Sequence, residues 1–181
     1  MTGEGSRANR LRLRAHFPRR RVLVVPPGPQ GGVGDQAVTQ MLAWCARDLG
    51  ARDVGVVTYA PDEDWGLRTG SIPVTLIPVP SWPFDHERWA VPSVRATLER
   101  YDHVVIAGND CMDGGYSDLG TSALLAMACF ADAHGCRVSF VNCSFNRRPT
   151  PTVVRALRAL PERIPIWLRD ALSAQSFAAA T

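Results

Sequence analysis

The chain has 181 residues, of which 46% are hydrophobic and 20% are charged, proportions typical of a globular protein with one substantial core. Its net charge of +3 arises from 20 basic and 17 acidic residues, and every basic residue is an arginine. The absence of lysine excludes Walker A phosphate loops, whose lysine reaches the nucleotide phosphates, and pyridoxal phosphate enzymes, whose lysine holds the cofactor as a Schiff base.

The basic residues are concentrated near the N-terminus, in a leader that we assign to residues 1–20. Residues 1–21 contain seven arginines and one glutamate, a balance of +6, whereas residues 22–181 carry a balance of −3. A basic tail can contact nucleic acid or an anionic membrane. We expect instead a disordered leader, or a segment upstream of the true start codon, and no nucleic-acid partner.

No run in the sequence approaches the roughly 18 consecutive apolar residues of a membrane span, and no apolar region of signal-peptide length follows the basic residues. We therefore predict a cytoplasmic protein without a membrane span. The five cysteines include no pair at zinc or redox spacing, and the four histidines include none at metal-ligand spacing. The sequence therefore predicts no metal site.

Residues 21–181 alternate short apolar runs with helical patterns and are predicted to form one domain. The predicted strands comprise residues 21–25, 54–59, 74–79, 103–108, 137–143 and a short stretch within 163–170. The predicted helices comprise residues 35–49, 93–100, 119–135, 152–160 and a C-terminal segment. Because the strands are continuous apolar runs, we expect them to be buried on both faces of a mostly parallel sheet. This pattern predicts a doubly wound α/β fold.

The loop after the first strand, PGPQGGVGDQA, contains Gly32, Gly34 and Ala37 in the order of a dinucleotide fingerprint. That fingerprint places its first glycine at the end of the strand, whereas residues 26–31 intervene here, and no acid closes the second strand. Local structure offers a second interpretation, in which Asp35 caps the following helix and the glycines allow positive φ in the turn.

The loop after the fourth strand, GNDCMDGGYSD, places Asp110 and Asp113 beside two glycines at the carboxyl end of a strand. Carboxylates in this position can transfer protons, bind sugar hydroxyls or hold a divalent metal, although the spacing is not that of a calcium loop. Asp118 is predicted to cap the next helix. Cys111 is a less favoured candidate nucleophile, because no histidine partner is evident.

Arginines follow the last two strands. Arg147 and Arg148 lie in the loop NCSFNRRPTP, and Arg169 precedes Asp170, which is predicted to cap the last helix. Guanidinium groups bind phosphate and carboxylate through paired hydrogen bonds, although adjacent arginines in a loop can equally be solvated. We expect the loops after the first, fourth and fifth strands to converge on one pocket rim, because carboxyl ends of parallel strands share an edge.

Three segments together resemble the polysaccharide pyruvyl transferase family: GGVGDQAVTQMLAW, YDHVVIAGNDCMD and ERIPIWLRDALS. They correspond to its Gly-x-x-Gly-Asp loop, its Asp-containing loop after a strand, and its Arg-Asp-x-x-Ser turn. The chain departs from the family at Gly32 or Val33, where asparagine is usual, and at residues 108–110, where three glycines are usual. The resemblance covers residues 20–175 and implies a Rossmann-like N-terminal lobe of a glycosyltransferase-B-like architecture. The second lobe is expected to be missing.

The resemblance implies transfer of a pyruvyl group from phosphoenolpyruvate to a sugar of a cell-surface polysaccharide, with no cofactor. The partners would be this small-molecule donor, a saccharide acceptor, and a second lobe or further copies of the chain. The implied catalytic residues are Asp35, Asp110 and Asp113. The implied substrate-binding residues are Gly32, Gly34, Gly108, Asn109, Arg147, Arg148 and Arg169. Two alternatives stay open, a non-catalytic nucleotide- or sugar-binding module and an unrelated dinucleotide-binding Rossmann enzyme.

Overall fold

A computed structural model describes residues 20–60, 62–67, 74–79, 92–108, 112–146 and 148–181 of the chain. The strands in this part are β1 (Arg21–Val25), β2 (Asp53–Thr58), β3 (Thr75–Pro78), β4 (His103–Ala107), β5 (Arg137–Cys143) and β6 (Ile166–Leu168). The helices are α1 (Val33–Asp48), α2 (Pro92–Glu99), α3 (Asp118–Ala133), α4 (Pro151–Arg158) and α5 (Ala171–Ala180). Every predicted strand and helix is present. Apart from Arg20, the predicted leader lies outside the described residues.

The six strands form one sheet in the order β3-β2-β1-β4-β5-β6, and all neighbouring pairs are parallel. Val24, at the centre, pairs with Val56 on one side and with Val105 on the other. The chain thus builds the sheet outward from β1 to β3, crosses back, and builds outward again from β4 to β6. This arrangement confirms the predicted doubly wound α/β fold.

The valine-rich runs become strands because both of their faces are covered at the centre of the sheet. Leu23, Val24 and Val25 in β1 are fully buried. Burying such a side chain completely stabilises the fold by about 1.5–3 kcal/mol. Helix α1 packs against β1 and β2, whereas α3 packs against β4, β5 and α4. The core is therefore continuous across the two halves of the sheet.

Polar contacts at the amino ends of the strands join the two halves. The Asp102 carboxylate accepts a hydrogen bond from the main-chain N of Arg21 at 2.8 Å and pairs with the Arg21 guanidinium at 3.0 Å. This hydrogen bond to the Arg21 side chain, followed by the one to its main chain, lowers the pKa of Asp102. The contact fixes the start of β1 beside the start of β4.

The ends of the helices confirm two predicted signals and correct one. Gly135 (φ 85°) follows the end of α3, as expected of a left-handed terminator. Asp170 caps α5 by accepting a hydrogen bond from the main-chain N of Ser173 at 2.7 Å. Asp118, in contrast, is not a cap, because Ser117 accepts the bond from Gly120 N at 3.0 Å and the helix already includes Asp118.

Candidate functional site

The strand order reverses between β1 and β4, whose carboxyl ends lie side by side. Val25 pairs with Ile106, and the helices that follow the two strands lead to opposite sides of the sheet. In folds of this class such a reversal opens a crevice at the carboxyl ends, and ligands bind there. We name the carboxyl edge as the described parts of the loops that follow β1, β4, β5 and β6, namely residues 26–32, 108, 112–117, 144–146, 148–150 and 169–170. The structure therefore brings the predicted loops to one edge.

The first turn of α1 is exposed at this edge. The helix begins at Val33, and Gly32 occupies the cap position with φ −107° and no side-chain capping bond. The expectation that Asp35 caps the helix is wrong, because Asp35 is the third helical residue. Its carboxylate turns back toward Gly32, where an added Cβ would lie 3.3 Å from Asp35 Oδ2. Asp35 thus lies at the positive end of the helix dipole, which favours a carboxylate.

The glycines before α1 do not serve the turn as predicted. Among the described residues, the glycines with positive φ are Gly50, Gly66, Gly114 and Gly135, so none belongs to this loop. At Gly34, which is exposed, no atom lies within 4 Å of the position of an added Cβ. The absence of side chains at Gly32 and Gly34 therefore leaves the main chain of the first turn accessible to a ligand.

A buried carboxylate, Glu63, holds the loop after β1 in place. Its Oε1 accepts a hydrogen bond from Gln30 N at 2.9 Å, and its Oε2 accepts one from Tyr59 N at 2.5 Å. The Tyr59 hydroxyl donates to the carbonyl of Pro26 at 2.7 Å. Burial, together with the charge of Glu63, raises the pKa of Tyr59, so this hydroxyl stays protonated. The acid that follows β2 is thus engaged with main-chain groups, unlike the ribose-binding acid of a dinucleotide site.

Asp113 is a second buried carboxylate that holds loops in place, here the loops after β4 and β5. The residue is 1% exposed, its Oδ1 accepts a hydrogen bond from Gly115 N at 2.7 Å, and its Oδ2 accepts one from Asn146 N at 2.6 Å. Its carbonyl accepts a third bond from Thr150 N at 2.8 Å. Asp113 therefore fastens the loop after β4 to the loop after β5. These contacts favour a positioning role for its carboxylate over direct proton transfer.

Gly108 is explained by close contact between strands. A Cβ at this position would lie 2.4 Å from Cys143 Sγ and 2.7 Å from Cys143 Cα. The main-chain N of Gly108 also donates to the carbonyl of Val141 at 2.6 Å. Burial raises the pKa of the Cys143 thiol to about 12, so it stays protonated at neutral pH. Glycine is needed at 108 to let the end of β4 approach β5.

The Arg-Asp-x-x-Ser turn joins the loops after β5 and β6. The buried Ser173 hydroxyl accepts a hydrogen bond from Phe145 N at 3.1 Å and donates to Asp170 Oδ2 at 3.1 Å. The main-chain bond from Ser173 to Asp170 is the largest cause that lowers the pKa of this carboxyl. Arg169 Nε lies 3.6 Å from Asp170 Oδ2, and its side chain is 40% exposed. The Arg169 side chain is therefore partly exposed at the carboxyl edge.

The structure places the predicted site residues in three groups. Arg148 and Arg169 are exposed at the carboxyl edge, in the loops that follow β5 and β6. Asp113 and Gly108 are buried and support the loops. The positions of Asn109, Asp110, Cys111 and Arg147 lie outside the described residues, so their roles stay predictions. Sequence reasoning missed Glu63 as a loop support, because it discounted acids that lie beyond the end of β2.

Within the described residues, no group of three or more histidine, cysteine, aspartate or glutamate side chains is arranged to hold a metal ion. The same part of the chain includes no helix with the length and apolar character needed to cross a bilayer. No protein-family model matches this sequence, and no curated protein matches it at a significant level.

Proposed function

We propose that the carboxyl edge is the substrate site of a pyruvyl transferase-like protein, which uses phosphoenolpyruvate as donor and a saccharide as acceptor. The observation that carries the proposal is the exposed first turn of α1 beside the point between β1 and β4 where the strand order reverses. Each of the three sequence segments that resemble the pyruvyl transferase family contributes described residues to this edge, although the segments are far apart in the chain. The loops at this edge are held in place by hydrogen bonds, and the main chain of the first turn of α1 is exposed. This arrangement suits a small polar ligand.

The acceptor fits the α1 side of the crevice. Asp35 lies at the first turn of α1, and a carboxylate there repels an anionic ligand but accepts hydrogen bonds from sugar hydroxyls. Asp110 is assigned to the same task, or to proton transfer, on its position after β4. The main chain at Gly32 and Gly34 leaves room for the sugar ring.

The donor fits the opposite side of the crevice, where the cations are. Arg148 and Arg169 are exposed on the loops after β5 and β6. Guanidinium groups bind phosphate and carboxylate strongly, and phosphoenolpyruvate carries both. Asp113 and Ser173 hold these two loops and are positioning residues in this scheme, because they contact main-chain groups rather than the proposed substrate.

The proposed reaction joins two hydroxyl oxygens of one sugar to carbon 2 of the pyruvyl group. The bond between that carbon and the phosphate oxygen breaks, and inorganic phosphate leaves. One hydroxyl proton is transferred to the methylene carbon, which becomes a methyl group, and the other is transferred to the departing phosphate. The arginines stabilise the leaving phosphate, and a carboxylate relays the protons.

A partner at the carboxyl edge is part of the proposal. Large apolar side chains are exposed in the loop before α3 and in the first turns of α1, α3 and α5, namely Tyr116, Val33, Leu119 and Leu172. We propose that these side chains face a partner, because contiguous exposed apolar surface marks interaction sites. A second lobe or a second copy of the chain that contacts these residues would close the crevice over the substrates.

Binding of phosphoenolpyruvate to the full chain tests the donor site directly. We expect the ligand to raise the melting temperature of the native protein. The double variant Arg148→Gln, Arg169→Gln should abolish this shift, whereas Arg155→Gln, an exposed arginine of α4, should keep it. An unchanged shift in the double variant would refute the assignment of the donor site. Release of phosphate in the presence of acceptor would separate catalysis from mere binding.

The strand order favours a second candidate, dinucleotide binding, because it is the order of the dinucleotide-binding fold. Two observations weigh against it. Residues 26–32 separate β1 from α1, and Glu63 already accepts two main-chain hydrogen bonds. A melting-temperature shift with NAD but none with phosphoenolpyruvate would favour this second candidate. A shift with nucleotide-sugars alone would instead indicate a non-catalytic binding module.

A further inference from the structure

A groove lies on one face of the sheet, away from the carboxyl edge. Parallel strands are joined by right-handed crossovers, so α1 lies on one face and α3 on the other, because their crossovers run in opposite directions. Helix α4 packs against α3, and Arg158 of α4 donates to the carbonyl of Ala180 in α5 at 3.0 Å, which places all three on the same face. Among the described residues, α1 reaches as far as β4 on this face, and no helix covers β5 and β6 there.

The groove has a volume of about 810 Å³ and an apolar surface. Its wall is a stripe of α1 at helical spacing, formed by Leu42, Cys45, Ala46 and Leu49. Its floor and far side are formed by Val22, Val105, Ser139, Val141 and Trp167. Trp167 is 63% exposed. Sheets of parallel strands are normally covered on both faces, so this groove has the character of a binding surface rather than of ordinary solvent-facing sheet.

Positive charge is confined to one end of the groove, at the amino ends of the strands. Arg20 precedes β1, and Arg137 begins β5, where it pairs with His103 of β4. Arg163 lies at the same end of the sheet as Arg137. Arg163 is three residues before Ile166, Arg137 is three residues before Phe140, and Ile166 pairs with Phe140. Arg163 is bound to Asp132, with Nε 2.7 Å from Oδ1.

The Arg137 guanidinium is available to a ligand. The side chain is exposed and makes no hydrogen bond or ion pair with any described residue. Burial, and then the charges of Arg20 and Arg137, lower the pKa of His103 to about 4. The neutral His103 ring shares a hydrogen bond of 2.9 Å with Ser139 Oγ. The arginines at this end outnumber Asp132, the carboxylate in the groove lining, which is paired with Arg163, so the net charge there is positive.

This charge distribution argues against two occupants that the chain itself can supply. The part of the leader that precedes Arg20 has the wrong sign, because residues 1–19 contain five arginines and one glutamate. A second copy placed face to face about a twofold axis parallel to the strands would bring the same arginines together. The groove is also polar at one end and apolar along its length, whereas an amphipathic helix carries its charges along its flanks. These features fit an occupant with one anionic end.

We propose that the groove binds a single-chain anionic amphiphile, whose acidic head contacts Arg137 and whose apolar chain lies between α1 and Trp167. The floor from Arg137 to Val141 is about 13 Å long, which suits a chain of roughly ten carbons. The volume lies within the range of about 300–1,000 Å³ usual for small-molecule sites. This site is separate from the carboxyl edge and does not depend on the proposed pyruvyl transfer.

Calorimetric titration of the full chain with dodecanoate, below its micelle concentration, tests the proposal. We expect saturable binding that weakens about tenfold in decanoate, because two methylene groups are lost. Arg137→Gln should weaken dodecanoate binding about threefold to fivefold and leave dodecanol binding unchanged. The control Arg155→Gln should bind as the native protein does. Ala46→Trp should fill the groove and abolish binding, and its circular dichroism spectrum reports whether it folds.

Several outcomes would overturn the proposal. These are absence of dodecanoate binding, equal affinity for dodecyltrimethylammonium, or an effect of Arg155→Gln as large as that of Arg137→Gln. A chain lacking residues 1–19 that binds at least tenfold more tightly would show that the leader occupies the groove instead. Quenching of tryptophan fluorescence by 11-bromoundecanoate gives an independent readout, which Trp167→Phe should reduce.

Discussion

Replacement of Asp113 tests whether the carboxyl edge depends on buried carboxylates. In the native protein this side chain accepts hydrogen bonds from Gly115 N at 2.7 Å and from Asn146 N at 2.6 Å while it is 1% exposed. Asp113→Ala removes both bonds and leaves a small cavity between two loops. Asp113→Asn keeps the shape of the side chain but turns one acceptor into a donor that faces an N–H group.

The magnitude follows from the number of bonds and from the surroundings of their donors. A hydrogen bond to a charged group contributes about 1.5–3 kcal/mol, so two such bonds set an upper limit of about 6 kcal/mol. Gly115 and Asn146 are exposed, so in the variant water can accept hydrogen bonds from their main-chain N–H groups. We therefore expect Asp113→Ala to lower the free energy of unfolding by about 2–4 kcal/mol, and Asp113→Asn by about 1–2 kcal/mol.

Urea denaturation followed by circular dichroism measures these changes, and Asp62→Ala is the matched control. Asp62 is an exposed acid in a loop, so its replacement should change the free energy of unfolding by less than about 0.5 kcal/mol. A loss below about 1 kcal/mol for Asp113→Ala would refute the structural role assigned to this residue. Full stability with complete loss of phosphate release in Asp113→Asn would instead favour direct proton transfer.

Three further predictions concern the sheet and its loops, and urea denaturation measures each. Gly108→Ala should lower the free energy of unfolding by more than about 2 kcal/mol, because the added Cβ would lie 2.7 Å from Cys143 Cα. Gly34→Ala, at a position with open space around it, should change the free energy of unfolding by less than about 1 kcal/mol. Equal effects of the two variants would contradict the explanation of Gly108. Glu63→Gln should cost about 1–3 kcal/mol, since its carboxylate accepts two main-chain bonds, and an unchanged urea midpoint would disprove this. The pKa of His103 is about 4 in the folded protein against 6.5 in the unfolded chain. The stability that the neutral ring contributes is therefore fully present above about pH 6.5 and is lost as the pH falls toward 4. About 2 kcal/mol of stability should disappear between pH 7 and pH 5, and His103→Gln should show a smaller loss over that interval.

The strands could be predicted from the sequence because their signal is local. Each central strand is a run of valine and its neighbours, such as residues 21–25, that is long enough for one pass through a sheet covered on both faces. The beginning of α1 was misplaced for an equally local reason. Aspartate is a strong N-capping residue, so the sequence favours Asp35 as the N-cap of α1. The helix instead begins at Val33 without a side-chain cap.

The supports of the carboxyl edge could not be predicted, because they join residues that are distant in the chain. Glu63 accepts a bond from Gln30, and Asp113 accepts one from Asn146, each across 33 residues. No periodic pattern encodes such pairs, and both acids lie in stretches that contain other acids or glycines and therefore suggest a solvent-exposed loop. The groove could not be predicted for a related reason, since the part of the sheet that no described helix covers becomes evident only once the strand order is known.

The pairing of β1 with β4 also has a consequence for biosynthesis. The Arg21–Asp102 contact spans 81 residues. A ribosome that adds about 5–20 residues per second therefore needs about 4–16 s to reach β4 after it has made the start of β1. During that interval β1 can pair with β2 but has an unpaired edge on its other side. Nascent chains that stop before β4 should therefore aggregate or bind chaperones, because an open valine-rich edge readily pairs with other strands.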